Sequence, residues 1–419
     1  MNDKKITLKR SLSLSLITFY GLGSILGAGI YALIGKVAGA AGYYAPLSFV
    51  VASIIASFSA LSYAELASRY PVSGGESVYL YEGFHLRWLS TAVGLLIVCA
   101  GIMSSAAISH GFAGYFKVLA VDYVPALQAV PSGAIITVLL LILAALAVWG
   151  IKQSVMVASL LTVVEMFGLG LVIWVGAEQW PVMEQTFNAI PGTDYNFSFI
   201  GIFAGGFLAF YAYLGFEDMV NVAEEAEEPQ QNVPEAIVLA VIISTLLYAC
   251  VAIVAVLLVD PNQLSKSGAP LAEVYTAATG SAPVVISLIG MFAVVNGALI
   301  QLIMASRLLY GMGSRGWISP WFSKIYSPTR TPINSTIVIA TFITLFAVLL
   351  PIVRLAELTS FMILVVFILI NLSLIRIKKR DPHPVGARVF SVWIPRLGFI
   401  FASLFLTLNI IRSISEILG

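Results

Sequence analysis

Gly21-Leu22-Gly23-Ser24-Ile25-Leu26-Gly27-Ala28-Gly29-Ile30 lies in the middle of an apolar run covering residues 12–34. A run of that length suits a bilayer core about 30 Å thick, which needs roughly 20 residues of helix. Its four glycines fall at i, i+2, i+6 and i+8, which does not match the i, i+4 seam of a packed helix pair. Glycine weakens a helix interior, so this spacing predicts a membrane helix interrupted halfway across. A second interruption is predicted in the run 198–222, where Gly205-Gly206 precedes Phe210-Tyr211-Ala212-Tyr213-Leu214-Gly215-Phe216-Glu217-Asp218. Here a mid-run glycine is followed at once by two carboxylates. Either segment alone would fit close helix packing. Two at corresponding places point to a transporter built from repeated halves.

Working outward, further apolar runs lie near 42–66, 88–115, 133–150, 154–176, 234–259, 282–311, 332–351, 355–375 and 396–416. The expectation is an all-α polytopic membrane protein of about eleven transmembrane helices, forming one domain over residues 1–419. The two interrupted runs each open a block of five. Repeat one covers about 12–176, repeat two about 198–375, and an extra helix about 396–416. Composition agrees, since 59% of residues are hydrophobic and 10% charged, too few charges to coat a soluble domain of 419 residues. A net charge of +1 gives no basic field for nucleic acid. Cys99 and Cys250 sit in apolar runs and read as buried free thiols, and three scattered histidines suggest no metal site. No phosphate-binding loop, Ser/His pair or paired-Asp constellation is visible, so an enzyme or an ATP-driven pump is not expected. No cofactor is expected either.

Lys4, Lys5, Lys9 and Arg10 precede the first run, but about 23 apolar residues exceed a signal-peptide core, so this segment is read as a retained helix. With the N-terminus inside, all but five of the 22 Lys and Arg fall on the cytoplasmic side, the exceptions being Lys36, Lys117, Lys266, Arg354 and Arg412. An odd span count then puts the C-terminus outside a cell membrane. Asn196-Phe197-Ser198 is a glycosylation sequon on the outer side.

The interruptions also predict a ligand. If the first helix runs outward, its second half begins with bare N–H groups near Ala28, Gly29 and Ile30, which suit a carboxylate. The first halves of both helices end in free carbonyls near Ser24–Leu26 and Phe210–Tyr213, which suit an ammonium group or a bound cation. Both offered together at mid-membrane fit an α-amino acid zwitterion.

At these residues the chain resembles the amino acid–polyamine–organocation (APC) superfamily of permeases, and among them bacterial proteins similar to cationic amino acid transporters. The resemblance spans roughly residues 10–400. It rests on Gly27-Ala28-Gly29-Ile30, on Tyr63-Ala64-Glu65-Leu66 with Pro71-Val72-Ser73-Gly74-Gly75-Glu76, and on Gly150-Ile151-Lys152-Gln153-Ser154. It continues through Gly215-Phe216-Glu217 with Glu224-Glu225 and Pro229, and Ala305-Ser306-Arg307 through Gly316 and Thr331-Pro332. The resemblance implies a LeuT-like 5+5 inverted repeat with broken helices 1 and 6, holding substrate between spans one, three, six, eight and ten. It assigns substrate contacts to Ile25, Gly27, Ala28 and Gly29, and to Tyr211, Ala212 and Leu214, with the ring of Phe210 or Tyr211 as a lid. Eleven spans depart from the usual twelve or more, which leaves any dimer through a last helix open, and the oligomeric state with it.

Glu165 lies mid-span in Val163-Val164-Glu165-Met166-Phe167. A charge there costs at least about 2.5–3.5 kcal/mol, so it reads as functional. Proton-coupled relatives often carry a lysine at the aligned site. Glu165 is therefore a candidate proton carrier, against a permanently protonated helix-joining residue or a cation ligand; H+ is expected as the coupling ion before Na+. Glu217 is either a cap of the half-helix or a counter-ion for a cationic substrate side chain. Ser104 and Asn296 are candidate selectivity residues, as are Ser105, Ser109, Gln301 and Ser360; ordinary helix-joining hydrogen bonds are the alternative. The reading is a secondary active transporter for amino acids. Its alternatives are a polyamine or amine carrier or an amino acid exchanger, and, from another class, a channel or substrate-sensing receptor on the same scaffold.

Overall fold

A computed structural model of the chain describes residues 10–72, 74–123, 130–149, 151–189 and 199–418. Lys4, Lys5, Lys9, Ser73, Gly150 and the sequon at Asn196 lie outside the described residues. The helices are α1 (Leu14–Ala41), α2 (Ala45–Arg69), α3 (Gly75–Phe84), α4 (Arg87–Tyr123) and α5 (Ser132–Trp149). They continue as α6 (Ile151–Glu178), α7 (Trp180–Ala189), α8 (Phe199–Tyr211), α9 (Pro229–Leu258), α10 (Pro261–Lys266) and α11 (Pro270–Thr279). The last are α12 (Val284–Ser314), α13 (Ile333–Leu349), α14 (Ile352–Arg380) and α15 (Trp393–Leu418). Two isolated backbone bridges are the β-pairing among the described residues.

Helix lies on each of the eleven apolar runs. Among the described residues, eight segments are long and apolar enough to cross a membrane. The other three runs lie on α8, α13 and α15, of which α8 and α13 are short and α15 has 26 residues. At 1.5 Å per residue the 17 residues of α13 reach only about 25 Å, and α8 stops after 13 because its run is interrupted.

The surface is inverted relative to a water-soluble protein. Leu141, Leu160, Phe167, Phe203, Leu246 and Leu349 are exposed, while Glu65, Glu76, Glu165, Glu225 and Asn296 are fully buried. Exposed Trp88, Trp149, Trp174, Trp180 and Trp393 sit at or near helix ends, where amphipathic rings suit the membrane–water boundary. This is a multi-pass membrane protein. The cysteine expectation needs correcting: both thiols are free, but Cys99 and Cys250 lie on the exposed apolar surface rather than in the core.

Both predicted interruptions are present. In α1 the break falls at Gly27, whose φ of −33° and ψ of −125° are not helical. The second helix stops at Tyr211. Amides of Ala212, Tyr213 and Leu214 reach back three residues, and a 3₁₀ segment, Phe216–Glu225, follows. Ten residues of 3₁₀ exceed the usual short run, which marks a stretch held by its surroundings. The breaks interlock through two glycines. A Cβ on Gly29 would stand 2.8 Å from Ala212 Cα, and one on Gly215 would stand 2.6 Å from the carbonyl carbon of Ser24. Gly215 also has φ +132°, a conformation that side chains with a Cβ rarely adopt.

Backbone bonds fix the relative direction of the broken helices. Ser11 and Leu12 amides donate to Glu225 O at 2.9 and 3.0 Å, and Glu227 N donates to Leu12 O at 2.8 Å. The start of α1 and the end of the 3₁₀ segment therefore share one end of the molecule, and the two broken helices run antiparallel. Ion pairs seal that same end. Lys378 Nζ lies 2.7 Å from Glu65, Arg69 lies 2.8 Å from Glu65, and Arg307 Nε lies 2.8 Å from Glu225.

Candidate functional site

A cavity opens where the two breaks meet. Ser24, Ile25 and Gly29 of α1 line one wall, and Tyr211, Leu214, Glu217 and Asp218 the wall facing it. Gly101, Ser104 and Ile108 of α4, Gln301 and Met304 of α12, and Thr359 and Ile363 of α14 close the sides. The cavity volume is ≈ 40 Å³, on a measure in which one water needs about 10–15 Å³, so it admits only a few waters or a small solute.

Of the residues singled out from the sequence, Ile25, Gly29, Ser104, Tyr211, Leu214, Glu217 and Gln301 line this cavity. Others are placed elsewhere. Gly27 forms the break but faces Gly297 of α12, whose Cα would stand 3.5 Å from a Cβ added at Gly27. Ala28 is the residue after the break; its side chain lies outside what the structure describes. Ala212 turns its carbonyl to Tyr248. The lid assignment for Phe210 is corrected, because its ring packs against Phe367 and Phe405 at centroid distances of 6.1 and 5.6 Å, leaving Tyr211 as the aromatic ring of the cavity wall. Asn296 also stands away from the cavity. It is fully buried, and its Nδ2 donates to Glu165 Oε1 at 2.8 Å and to Thr162 Oγ1 at 3.0 Å. Glu165 therefore sits behind the first break rather than in the cavity, and Thr162 Oγ1, which also donates to Phe19 O at 3.0 Å, ties this cluster to the first half of α1.

The two carboxylates behave differently. Glu217 Oε2 accepts from Gly215 N at 2.8 Å and so caps the 3₁₀ segment from within its first turn. Asp218 Oδ2 accepts from Ser24 Oγ and, at 2.7 Å, from Gln301 Nε2. One carboxylate oxygen thereby joins the first break, the second break and α12.

Tyr248 of α9 was not found from the sequence. Its hydroxyl lies 2.5 Å from Ile25 O and 3.0 Å from Ala212 O, so it spans the carbonyl ends left by both interruptions. A lone tyrosine in the apolar run Leu246-Leu247-Tyr248-Ala249 was the available signal, since a buried phenol needs a partner. Tyr248→Phe removes the single O–H that these two buried carbonyls share, at about 1–3 kcal/mol for an unmet group. The expected outcome is a roughly tenfold fall in initial uptake rate by the reconstituted protein, with helix content by circular dichroism unchanged. Wild-type uptake would remove Tyr248 from the site.

A multi-pass helical bundle with a small cavity of mixed polar and apolar lining between two interrupted helices has the build of a membrane solute transporter. The family model described as amino acid permease matches residues 12–414. The chain is 29% identical to the branched-chain amino acid permease BcaP of Bacillus subtilis over 422 residues, covering 96% of this chain and 89% of that protein. It is 29% identical to the vacuolar cationic amino acid transporter 4 of Arabidopsis thaliana, over 92% of this chain and 66% of that protein. The methylthioribose transporter of Bacillus subtilis is 27% identical over 91% of this chain and 84% of its own length. The chain belongs to the amino acid permease family, whose members are APC-superfamily transporters and not enzymes.

Proposed function

We propose that the protein is a secondary transporter that moves a small α-amino acid across a cell membrane by alternating access. The observation that carries this reading is the meeting of opposite helix ends at one cavity. The break at Gly27 puts the start of the second half of α1 at this cavity, where helix-start amides near Gly29 suit a carboxylate, while the carbonyl ends of the first half of α1 and of α8 suit an ammonium group. Relatives named for branched-chain and cationic amino acids support the substrate class. The antiparallel course of the broken helices supports two inverted five-helix repeats, α1 to α6 and α8 to α14, with α15 outside them. The sealed end, rich in Arg69, Arg307 and Lys378, is taken as cytoplasmic, which places the N-terminus inside and the C-terminus outside.

Liposomes holding the purified protein and preloaded with unlabelled amino acid provide the test. Saturable counterflow of labelled amino acid is expected. Conductance without counterflow would make the protein a channel, and binding without movement a sensor.

Glu165 is the proposed proton carrier. It is fully buried, the side-chain donor to its carboxylate is a neutral amide, its backbone carbonyl accepts from Tyr31 in the second half of α1, and Thr162 one turn before it bonds the first half at Phe19 O. Glu165→Gln should retain counterflow yet lose the acceleration of uptake by an imposed pH gradient. Undiminished drive by the gradient in that variant would end the assignment.

A polyamine or amine carrier is the second reading, favoured by Glu217 and Asp218 in a cavity whose lining includes no Lys or Arg among the described residues.

A further inference from the structure

Two asparagine–glutamate contacts share one unusual feature. Asn296 Nδ2 donates to Glu165 Oε1, and both remaining oxygens of the pair, Glu165 Oε2 and Asn296 Oδ1, are buried without a partner. Far along the chain, Asn221 Nδ2 donates to Glu76 Oε2 at 3.2 Å, and again Glu76 Oε1 and Asn221 Oδ1 are both left buried and unmatched. All four residues have no exposed surface. An ionised carboxylate has only acceptors to offer, so it cannot satisfy the amide oxygen beside it. A carboxylic acid can: its O–H donates to the amide oxygen while the amide N–H donates to the acid carbonyl. One proton per pair then meets both orphaned oxygens.

We infer that Glu165 and Glu76 each hold a proton in this conformation, clasped by Asn296 and Asn221 in two-hydrogen-bond carboxylic acid–carboxamide pairs, giving the protein two proton sites. The use of these sites in coupling rests on the transport reading above; their protonation does not.

The surroundings of each pair agree. Around Glu165 stand Tyr31, whose hydroxyl bonds the Glu165 backbone carbonyl at 2.8 Å, Thr162 and Tyr248. None of these is cationic. Around Glu76 stand Tyr63 from α2 and Tyr79 from α3, and the charges that reach it, Asp218 and Glu217, are acidic. Glu76 lies in the first turn of α3, outside the apolar spans. Burial, with repulsion from Asp218 added, pushes its carboxyl from the ordinary range up to about 8, although its own backbone amide, the Asn221 bond and the Tyr63 hydroxyl pull the other way. Glu65 provides the contrast within the same molecule. Both of its oxygens are met, by Lys378, Arg69 and the Phe390 amide, as an ionised carboxylate requires.

Each pair bridges two elements, α6 to α12 and α3 to the 3₁₀ segment. Sliding of those elements separates acid from amide, admits water and releases the proton. A transporter that rocks about its breaks therefore changes the proton affinity of both sites as it moves.

Infrared spectra of the purified full-length protein test this directly. At pH 7 the wild type should show protonated-carboxyl absorption that Glu165→Gln reduces by one band and Glu76→Gln by another. Glutamine supplies an N–H where the acid supplied its O–H, so both variants should keep the pair and the thermal stability of the wild type. In the wild type the Glu76 band should vanish with a midpoint near pH 8. Should a glutamine variant fail to fold, Asn296→Ala and Asn221→Ala should each shift one protonated band to the frequency of an acid lacking its acceptor. If neither glutamate contributes a protonated band at pH 7, the orphaned oxygens are held by water or a cation and the inference is wrong. If only one does, the two-site claim is wrong. Failure of counterflow would leave these spectra unaltered, so the two readings fail separately.

Discussion

Arg307→Met should destabilise the folded protein by about 3–5 kcal/mol, the usual cost of stripping one partner from a buried ion pair. Arg307 and Glu225 are both almost inaccessible, and the guanidinium is the side-chain partner of a carboxylate whose second oxygen has none. Burial already pushes Glu225 above the ordinary carboxyl range, with Arg307 pulling it back, so loss of the cation favours the protonated acid. Sign follows from that: the variant should be relatively more stable in acid, where Glu225 gains a proton, and progressively less stable as pH rises. The Arg307→Met, Glu225→Gln double variant should recover most of the loss and show little of the pH dependence. Thermal unfolding in detergent at two pH values reads both effects. A single variant as stable as the wild type at pH 8 would show that this ion pair does not hold the sealed end.

Gly215→Ala should abolish transport almost completely. The added methyl meets the Ser24 carbonyl carbon at 2.6 Å, and φ +132° is strained for any residue bearing a Cβ. Positive-φ strain costs about 1–3 kcal/mol and overpacking a similar amount. Even about 3 kcal/mol moved against the substrate-competent geometry amounts to roughly a hundredfold. Gly170→Ala in α6 is the control, because nothing stands within 4 Å of its added methyl. Uptake by Gly215→Ala within a few-fold of wild type would mean that the contact between the two breaks is not needed.

Much of this architecture was legible in the sequence, for physical reasons. A bilayer enforces long apolar helices, and glycines in unhelical spacing near Gly27 and Gly215 betray the places where those helices give way. Reach across the bundle was not legible. Its polar side chain inside an apolar run placed Asn296 among the candidates but could not show that it turns to Glu165 and not to the cavity. Phe210 and Tyr211 are adjacent, and a single residue of rotation decides which ring faces the substrate space; the interruption itself sets that rotation. Tyr248 was missed because its partners are main-chain carbonyls 223 and 36 residues away, which leave no pattern along the chain. The Glu76–Asn221 pair escaped for the same reason, being joined across 145 residues.

The central claim is that bare main-chain ends at two helix breaks grip both charges of an amino acid. Competition against a transported amino acid by its N-acetyl and its carboxamide derivatives tests that claim most directly. Both blocked compounds should compete at least about tenfold more weakly than the free amino acid, since each loses one charge-assisted contact. Equal competition by the carboxamide, or by a diamine lacking any carboxylate, would contradict it and leave an amine carrier in its place.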